Sequence, residues 1–311
     1  MELRKLVKAG PSSHTVSLPK AWLVKNRLTK GNVVFLEERN NEIVITTQAK
    51  TPILLQEKTI SIDEKQLGTI QRELASAYMN NYGKILLVGA IAEKAKSIRT
   101  TLQGFAGLEI VEEAENRLVV QDLLNVQELS PDKTLHRMDM ILRAMLHDSA
   151  ASLGSAALDE ALAIREQDLN RLHMLLYRLL KGSLTQPSLA QHINLSASAV
   201  LSCIMLANDL KQSAAALAKA CVACKKSSAE ELAAAKSAFA FIDVLYRDVM
   251  AAFFEHDKMR ADTTAQNCET AIANTAQLFS VPSAITAELA KEFEQIIECI
   301  SRIAQGVIDR E

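Results

Sequence analysis

The spacing of apolar and polar residues changes twice along the chain and divides it into three segments. Up to residue 47 the apolar residues form short β-type runs, such as 33–36 and 43–45, separated by turn residues. Residues 59–127 alternate between the spacing of strands and that of helices. From Ser130 onward apolar residues recur every three and four positions, as on amphipathic helices. We therefore expect a multidomain, mainly α protein with domains at 1–47, 52–127 and 130–311.

The first segment has the pattern of a small β-domain. Asn40-Asn41 stands between two β-type runs and predicts a hairpin turn. Pro19, followed by Lys20-Ala21-Trp22-Leu23, predicts the first turn of a short helix. Residues 48–58 then have the character of a linker.

The second segment predicts a small α/β sandwich. Helices alternate here with strands, which places helices over a sheet. Strands are expected at 60–62, 84–88, 108–111 and 118–123, and helices at 63–82 and 89–104. A helix N-terminus after Gly89 could bind an anion, but an ordinary strand-to-helix turn is the better explanation.

The third segment predicts helices to the end of the chain. Six are expected, at 131–155, 157–182, 189–225, 228–256, 258–279 and 283–309. Ser130 and Pro131 suit the N-cap and first turn of the first helix. Six helices of this length suggest two three-helix bundles and an internal repeat.

Composition excludes several classes of protein. The N-terminus lacks the apolar core of a secretory signal, and the five cysteines are an odd number, which predicts reduced thiols in the cytoplasm. No window of about 20 residues is apolar enough to span a membrane. G-x-S-x-G, Walker A and HExxH motifs are missing and the six histidines are scattered, so we expect a protein that is not an enzyme.

The first 30 residues are strongly basic, although the net charge of the whole chain is −2. They contain one acid, Glu2, and the cations Arg4, Lys5, Lys8, Lys20, Lys25, Arg27 and Lys30. A basic surface of this kind is the electrostatic footprint of a nucleic-acid-binding protein.

Residues 10–23, GPSSHTVSLPKAWL, resemble the core of the AbrB/SpoVT/MazE-like swapped-hairpin domains, where a strand and a glycine turn lead into a "vtLPk-W" step. Residues 28–34, LTKGNVV, are similar to the "l..GD.v" turn of that family, with Asn32 where Asp is common. The resemblance implies an interleaved homodimer in which two copies close one β-barrel that binds DNA. A unit of 47 residues buries little surface alone, which favours dimerisation.

On this resemblance, DNA contacts are expected from cations that neutralise phosphates and from neighbouring polar side chains. The expected DNA-binding residues are Arg4, Lys5, Lys8, Ser13, His14, Ser17, Lys20, Lys25 and Arg27. The alternative is that these residues are solvated on a dimerisation module that makes no DNA contact.

The six-helix half and the α/β segment before it resemble archaeal PhoU-like proteins that carry an AbrB-type head. The resemblance covers about 52–309 and lies in residues 165–172, REQDLNRL; 208–214, NDLKQSA, similar to "ERigDha"; and 301–306, SRIAQG, similar to "eRiaDy". It implies a regulator of phosphate uptake that docks a phosphate transporter component or a signalling protein.

In the PhoU family, acidic residues four positions apart hold clusters of iron or zinc. The matching pairs here are Glu166/Asn170, Asn208/Gln212 and Ser301/Gln305. Amides cannot balance the charge of a divalent cluster, so we expect no cofactor. The remaining metal candidates are Glu166, Asp168 and Asp209. Cys221 and Cys224 fall on a helix seam, which places them in the core rather than at a zinc site.

These patterns leave competing functions open. The first is a DNA-binding transcriptional regulator of phosphate uptake, whose helical half senses or docks a partner. The second is a PhoU-like adaptor whose N-terminal domain only dimerises. A metal-binding protein or metalloenzyme is the third, and the degraded acidic positions disfavour it. An antitoxin, suggested by the N-terminal domain alone, is disfavoured by the size of the helical half.

Overall fold

The protein is mainly helical and divides into two compact units. The computed structural model describes residues 3–39, 42–47, 56–125, 128–153, 155–278 and 283–310, which form ten helices and eight strands. The first unit, Met1–Leu54, is here called the head, and the second, Leu55–Glu311, the body. The body contains both the α/β segment and the long helices.

The head consists of short elements. They are β1 (Val7–Lys8), β2 (His14–Thr15), α1 (Lys20–Lys25), β3 (Phe35–Arg39) and β4 (Glu42–Thr46). β1 pairs antiparallel with β2, and β3 pairs antiparallel with β4. The described strands of one chain form two separate sheets and close no barrel, so the swapped-hairpin barrel stays a prediction. The predicted turn at Asn40-Asn41 and positions 48–55 of the predicted linker lie outside the described residues.

The body begins with a four-stranded sheet and two helices, here called the sandwich. Its elements are β5 (Glu57–Ser61), α2 (Leu67–Met79), β6 (Lys84–Val88), α3 (Ile91–Gln103), β7 (Leu108–Ala114) and β8 (Arg117–Asp122). The strand order is β5-β6-β8-β7, with β5 and β6 parallel and the other neighbours antiparallel. Ile70, Tyr78 and Leu87 are among the buried residues that form its core.

The turn before α3 explains why Gly89 follows the strand. The Asp63 carboxylate accepts a hydrogen bond from the backbone N–H of Ala90 at 2.9 Å. Gly89 has a φ of +127°, and a Cβ at this position would overlap that carboxylate. The N-terminus of α3 is therefore met by an anion from the chain itself, and the simple strand-to-helix turn is confirmed. The preceding helix begins at Leu67 rather than at Asp63, because Glu64 adopts a φ of 59° that a helix cannot contain.

The remaining helices form a second layer of the body, here called the bundle. They are α4 (Pro131–Ser152), α5 (Ala156–Thr185), α6 (Pro187–Ile193), α7 (Ala197–Cys224), α8 (Ala229–Glu255), α9 (Lys258–Leu278) and α10 (Ala284–Ile308). α4, α5 and α7 pack against one another, as do α8, α9 and α10, and one continuous hydrophobic core joins the two sets. In the described part of the chain, every helix is too short or too polar to cross a bilayer.

The prediction of one helix over 189–225 is wrong, because two helices occupy that range. Asn194 adopts the left-handed conformation, with a φ of 49°, and ends α6. Ser196 then starts α7 by accepting a hydrogen bond from the backbone N–H of Ala199 at 3.1 Å. Leu189 and Val200 are buried on either side of this break, so the apolar spacing gives no sign of it.

The two sets of three helices repeat one local pattern. Asp139 pairs with Arg143 on α4, and Asp243 pairs with Arg247 on α8, in both cases across four residues and with a buried carboxylate. Tyr246 links the sets because its hydroxyl donates a hydrogen bond to Oδ1 of Asp139 at 2.9 Å. The predicted internal repeat stays a prediction.

Candidate functional site

The residues expected to bind DNA are all exposed on the head. The pairing of β1 with β2 brings Lys8 opposite His14. Lys20 and Lys25 are the first and last residues of α1. The other five lie outside the strands and the helix: Arg4, Lys5, Ser13, Ser17 and Arg27.

The head carries an excess of positive charge. It contains nine of the chain's 35 Lys and Arg residues but only four of its 37 Asp and Glu residues. No acid lies among residues 3–36, which contain Arg4, Lys5, Lys8, Lys20, Lys25, Arg27 and Lys30. Cations concentrated in this way repel one another and attract a polyanion such as a phosphate backbone.

The head also exposes its apolar residues. None of its residues is buried where side chains are described, at 3–36 and 43–47. Leu36 on β3 and Ile43 on β4 are 68% and 69% exposed, and Leu3, Leu6 and Val33 are exposed to a similar or greater extent. The described apolar residues of the head are therefore not covered by its own chain.

The turn at Gly31-Asn32 shows how Asn replaces the more usual Asp. Oδ1 of Asn32 accepts a hydrogen bond from the backbone N–H of Thr29 at 2.6 Å and one from the Thr29 hydroxyl at 3.0 Å. Gly31 adopts a φ of +92°, which an L side chain rarely takes. The Asn32 amide oxygen thus holds Thr29 by two hydrogen bonds and closes the turn.

The motifs at 208–214 and 301–306 meet across α7 and α10. Nε of Arg302 donates a hydrogen bond to Oδ1 of buried Asp209 at 2.8 Å, and its Nη2 donates to Oε1 of Gln212 at 3.2 Å. Burial raises the pKa of the Asp209 carboxyl, and the Arg302 hydrogen bond opposes the rise. The Arg302 guanidinium therefore supplies the positive charge beside Asp209 and Gln212. The sequence prediction missed this role, although Arg302 lies inside the motif.

The other two metal candidates lie in different surroundings. Glu166 lines a cleft between α5, α7 and α10, and Asp168 lies 4.0 Å from Arg171 on its own helix. Over the described ranges, no three His, Cys, Asp or Glu side chains are grouped closely enough to hold a metal ion. The structure therefore does not bring Glu166, Asp168 and Asp209 together as one set of ligands.

The two cysteines of the Cys221–Cys224 pair lie in the core, as their seam positions predict. All five cysteines are buried and free. Burial raises the pKa of the Cys221 thiol to about 11 and that of Cys224 to about 12. Neutral thiols of this kind are poor metal ligands and slow nucleophiles.

A buried contact that sequence reasoning missed joins the sandwich to the bundle. Arg178 of α5 forms an ion pair with Asp122 at the end of β8, and both side chains are almost fully buried. Nε of Arg178 donates to Oδ1 of Asn81 at 2.8 Å, and Nδ2 of Asn81 donates to the Arg178 carbonyl at 3.2 Å. The guanidinium also lies 4.7 Å from the ring centroid of Tyr78. Met174, one turn earlier, packs into the sandwich core.

No family model matches the chain, and no curated protein or solved structure is significantly similar to it. The resemblances to AbrB-like and PhoU-like proteins thus stay predictions that depend on the quoted motifs. Function is accordingly inferred from the charge, burial and hydrogen bonding of the chain's own residues.

Proposed function

We propose that the chain is a DNA-binding transcriptional regulator of phosphate uptake, resembling PhoU, whose head forms a homodimer. The observation that carries this proposal is the cationic, acid-free surface of residues 3–36. Lys and Arg on such a surface neutralise backbone phosphates and release counterions, which supplies most of the affinity for DNA. Ser13, His14 and Ser17 lie in the same segment and offer hydrogen bonds to the backbone.

Dimerisation is supported by the apolar residues that one head leaves uncovered. β3 and β4 form an isolated two-stranded sheet, and Leu36 and Ile43 on it are exposed. A hairpin of this kind is marginal in water, whereas a second copy can cover its apolar face and complete a swapped-hairpin barrel. The dimer would also bring two cationic surfaces to one DNA duplex.

The link to phosphate uptake comes from the PhoU resemblance of the body. Two sets of three helices agree with the helix number and order on which that resemblance depends. In this proposal the body docks a phosphate transporter component or a signalling protein in the cytoplasm. The head binds DNA, and docking by the body alters that binding.

DNA binding is tested by fluorescence anisotropy with a mixed-sequence duplex at several salt concentrations. We expect the affinity to fall by several orders of magnitude between about 50 and 200 mM salt. Lys20→Gln/Lys25→Gln removes four lysines from the dimer and should lower the slope of log affinity against log salt by about 4, one for each phosphate that is no longer neutralised. Lys258→Gln/Lys291→Gln, which removes two exposed charges from the body, is the matched control and should leave the slope unchanged.

The second candidate is an adaptor whose head only dimerises, and the same uncovered strands support it. Leu36→Asp should convert the full chain from dimer to monomer in light scattering, while Met259→Asp, at an equally exposed apolar residue of the body, should not. A stable dimer that binds no duplex at low salt would favour the adaptor and reject the DNA-binding proposal.

The phosphate link is tested in the cell by genome-wide recovery of bound DNA at high and low phosphate. We expect occupancy that changes with phosphate and includes genes for phosphate uptake. Occupancy that is equal in both conditions would remove the phosphate link but leave DNA binding standing.

A further inference from the structure

A buried histidine joins two long helices of the bundle that pack against each other, α5 and α7. His173 of α5 is 9% exposed, and its Nε2 lies 2.7 Å from Oδ1 of Asn208 on α7. The Asn208 oxygen can only accept a hydrogen bond, so Nε2 of the neutral ring carries the proton and donates it. We call this contact the His173–Asn208 link.

The second ring nitrogen of His173 has no hydrogen-bond partner. Nδ1 is buried, and no described residue lies within hydrogen-bond distance of it. In the neutral ring Nδ1 is an unused lone pair, whereas a protonated ring would carry there an N–H with no acceptor and a full positive charge. A buried charge without a partner is far more costly than an unused lone pair. The site therefore suits the neutral imidazole and opposes its protonation.

The charged groups of α7 near the link do not compensate for a proton on the ring. Lys211, three residues after Asn208, repels a positive charge on His173. Asp209 follows Asn208 directly, but its carboxylate accepts a hydrogen bond from Arg302 of α10. The one acid of α7 close to the link is thus already paired.

The other surroundings of His173 are neutral or distant. Tyr177, one turn later on α5, has its ring centroid 6.3 Å away, and Glu166 lies seven residues earlier, about 10 Å along the helix. The sandwich meets α5 through Met174 and Arg178, which lie about 100° or more around the helix from His173. Repulsion by Lys211 is therefore not offset from these sides.

Burial and charge act on the ring in the same direction. Burial lowers the pKa of the His173 imidazole from its ordinary value of 6.5, and Lys211 adds to this shift. The hydrogen bond to Asn208 opposes the shift without cancelling it. A pKa that folding lowers gives stability that is complete above the pKa of the unfolded chain and is lost as the pH falls below it.

We propose that the His173–Asn208 link is an acid-sensitive contact that holds α5 against α7 at neutral pH and opens on acidification. A proton can be accommodated at Nδ1 only when water reaches this nitrogen, so acid favours a locally open arrangement of α5 and α7. The proposal does not rest on DNA binding by the head, and it would hold equally for an adaptor.

The test is urea unfolding of the full chain at about pH 7.5 and about pH 5.5, on either side of the ordinary imidazole pKa. His173→Gln keeps an N–H donor near the position of Nε2 but does not titrate. The urea midpoint of the body should fall further on acidification in the unmodified chain than in His173→Gln. His147→Gln, at an exposed histidine of α4, is the matched control and should fall as the unmodified chain does. Equal falls in the unmodified chain and His173→Gln would overturn the proposal.

Asn208→Asp tests the link from its other side and keeps the histidine. A carboxylate beside Nε2 stabilises the protonated ring, so the fall of the midpoint between the two pH values should become smaller. Asp209 is present in all of these proteins, so its own titration cancels from the comparison. A fall that Asn208→Asp leaves unchanged would contradict the proposal, even if His173→Gln failed to fold.

Hydrogen exchange at about pH 5.5 shows where the opening occurs. Amides of α5 and α7 around His173 and Asn208 should exchange faster in the unmodified chain than in His173→Gln, while those of the sandwich should exchange equally in both. Equal exchange around the link would show that acid does not open it. None of these measurements involves DNA, so failure here and failure of the proposed function are distinguishable.

Discussion

The head and the body of this protein differ in how far they bury their apolar residues. In the body one core runs through six long helices and a second fills the sandwich, with side chains such as Phe293 and Leu87 fully buried. In the head no described side chain is buried, and strand residues such as Leu36 and Ile43 face water. The body thus buries its apolar cores within one chain, and the described residues of the head form no buried core.

This difference teaches where stability and function reside. A complete core resists change, so the body can hold a precise joint such as Arg178–Asp122 without outside help. If the head dimerises as proposed, its state depends on the concentration of the chain. Four variants test this contrast through the free energy of unfolding.

Phe293→Ala should cost about 3–5 kcal/mol of the stability of the body, because Phe293 is fully buried and packs edge-to-face on Phe239. Urea unfolding followed by circular dichroism measures the loss, which should be the same at every protein concentration. Leu36→Ala is the matched change in the head. Leu36→Ala should leave the urea unfolding transition of the body unchanged. It should shift only the unfolding transition of the head, which we expect to depend on protein concentration. A body transition that moves with concentration would contradict the contrast.

Arg178→Met should cost about 3–5 kcal/mol, because it leaves the Asp122 carboxylate buried and unpaired. The control is the double variant Arg178→Met/Asp122→Leu, which removes both charges and should recover much of the loss. Urea unfolding of both proteins at neutral pH gives the comparison. Equal losses in the single and the double variant would show that packing, and not charge, holds the joint.

Arg302→Met should cost about 1–3 kcal/mol at pH 7 and less at pH 5. Burial already raises the pKa of Asp209 in the folded protein, and removal of the Arg302 hydrogen bond raises it further. A carboxyl whose pKa is raised on folding favours the folded state below its pKa in the unfolded chain. That contribution is lost as the pH rises through the folded-state pKa. Urea titrations at pH 7 and pH 5 measure the cost at each pH. In Arg302→Met/Asp209→Asn, which has no carboxyl at position 209, the cost should be the same at both pH values.

Ser228→Ala should cost about 1 kcal/mol, because its side chain caps α8 in a reciprocal pair with Glu231. Ser228→Asp keeps an acceptor at the cap and should restore most of the stability. Thermal unfolding of the two variants gives the comparison. In the head, α1 has Pro19 at its N-cap position and no side-chain cap. Equal midpoints for Ser228→Ala and the unmodified chain would show that the cap contributes nothing.

Much of the body could be predicted from the sequence, because apolar spacing reports the face that a helix buries. The strand over 84–88 and the helix start at Pro131 agree with the structure. The break at Asn194 could not be found in this way, since one residue in the left-handed conformation leaves the apolar spacing intact. The signal for the break was local. Asn194, a residue type that ends helices in the left-handed conformation, lies two positions before Ser196, which caps the next helix.

The candidate sites were predicted less completely than the fold. The basic surface of the head follows from residue types alone, because exposed Lys and Arg need no exact position to attract phosphate. The pairs Asp209–Arg302 and Asp122–Arg178 join residues 93 and 56 positions apart, and no local pattern reports a contact at that range.

The single core that runs through both sets of three helices limits how the chain can be divided. Leu210 and Leu217 of α7 and Ile296 and Ile300 of α10 belong to the same interior, so neither set closes its own. A truncated chain that kept only one set would leave this apolar face open to water and would be prone to aggregate. A shortened protein for study should therefore keep all of the helices from α4 to α10.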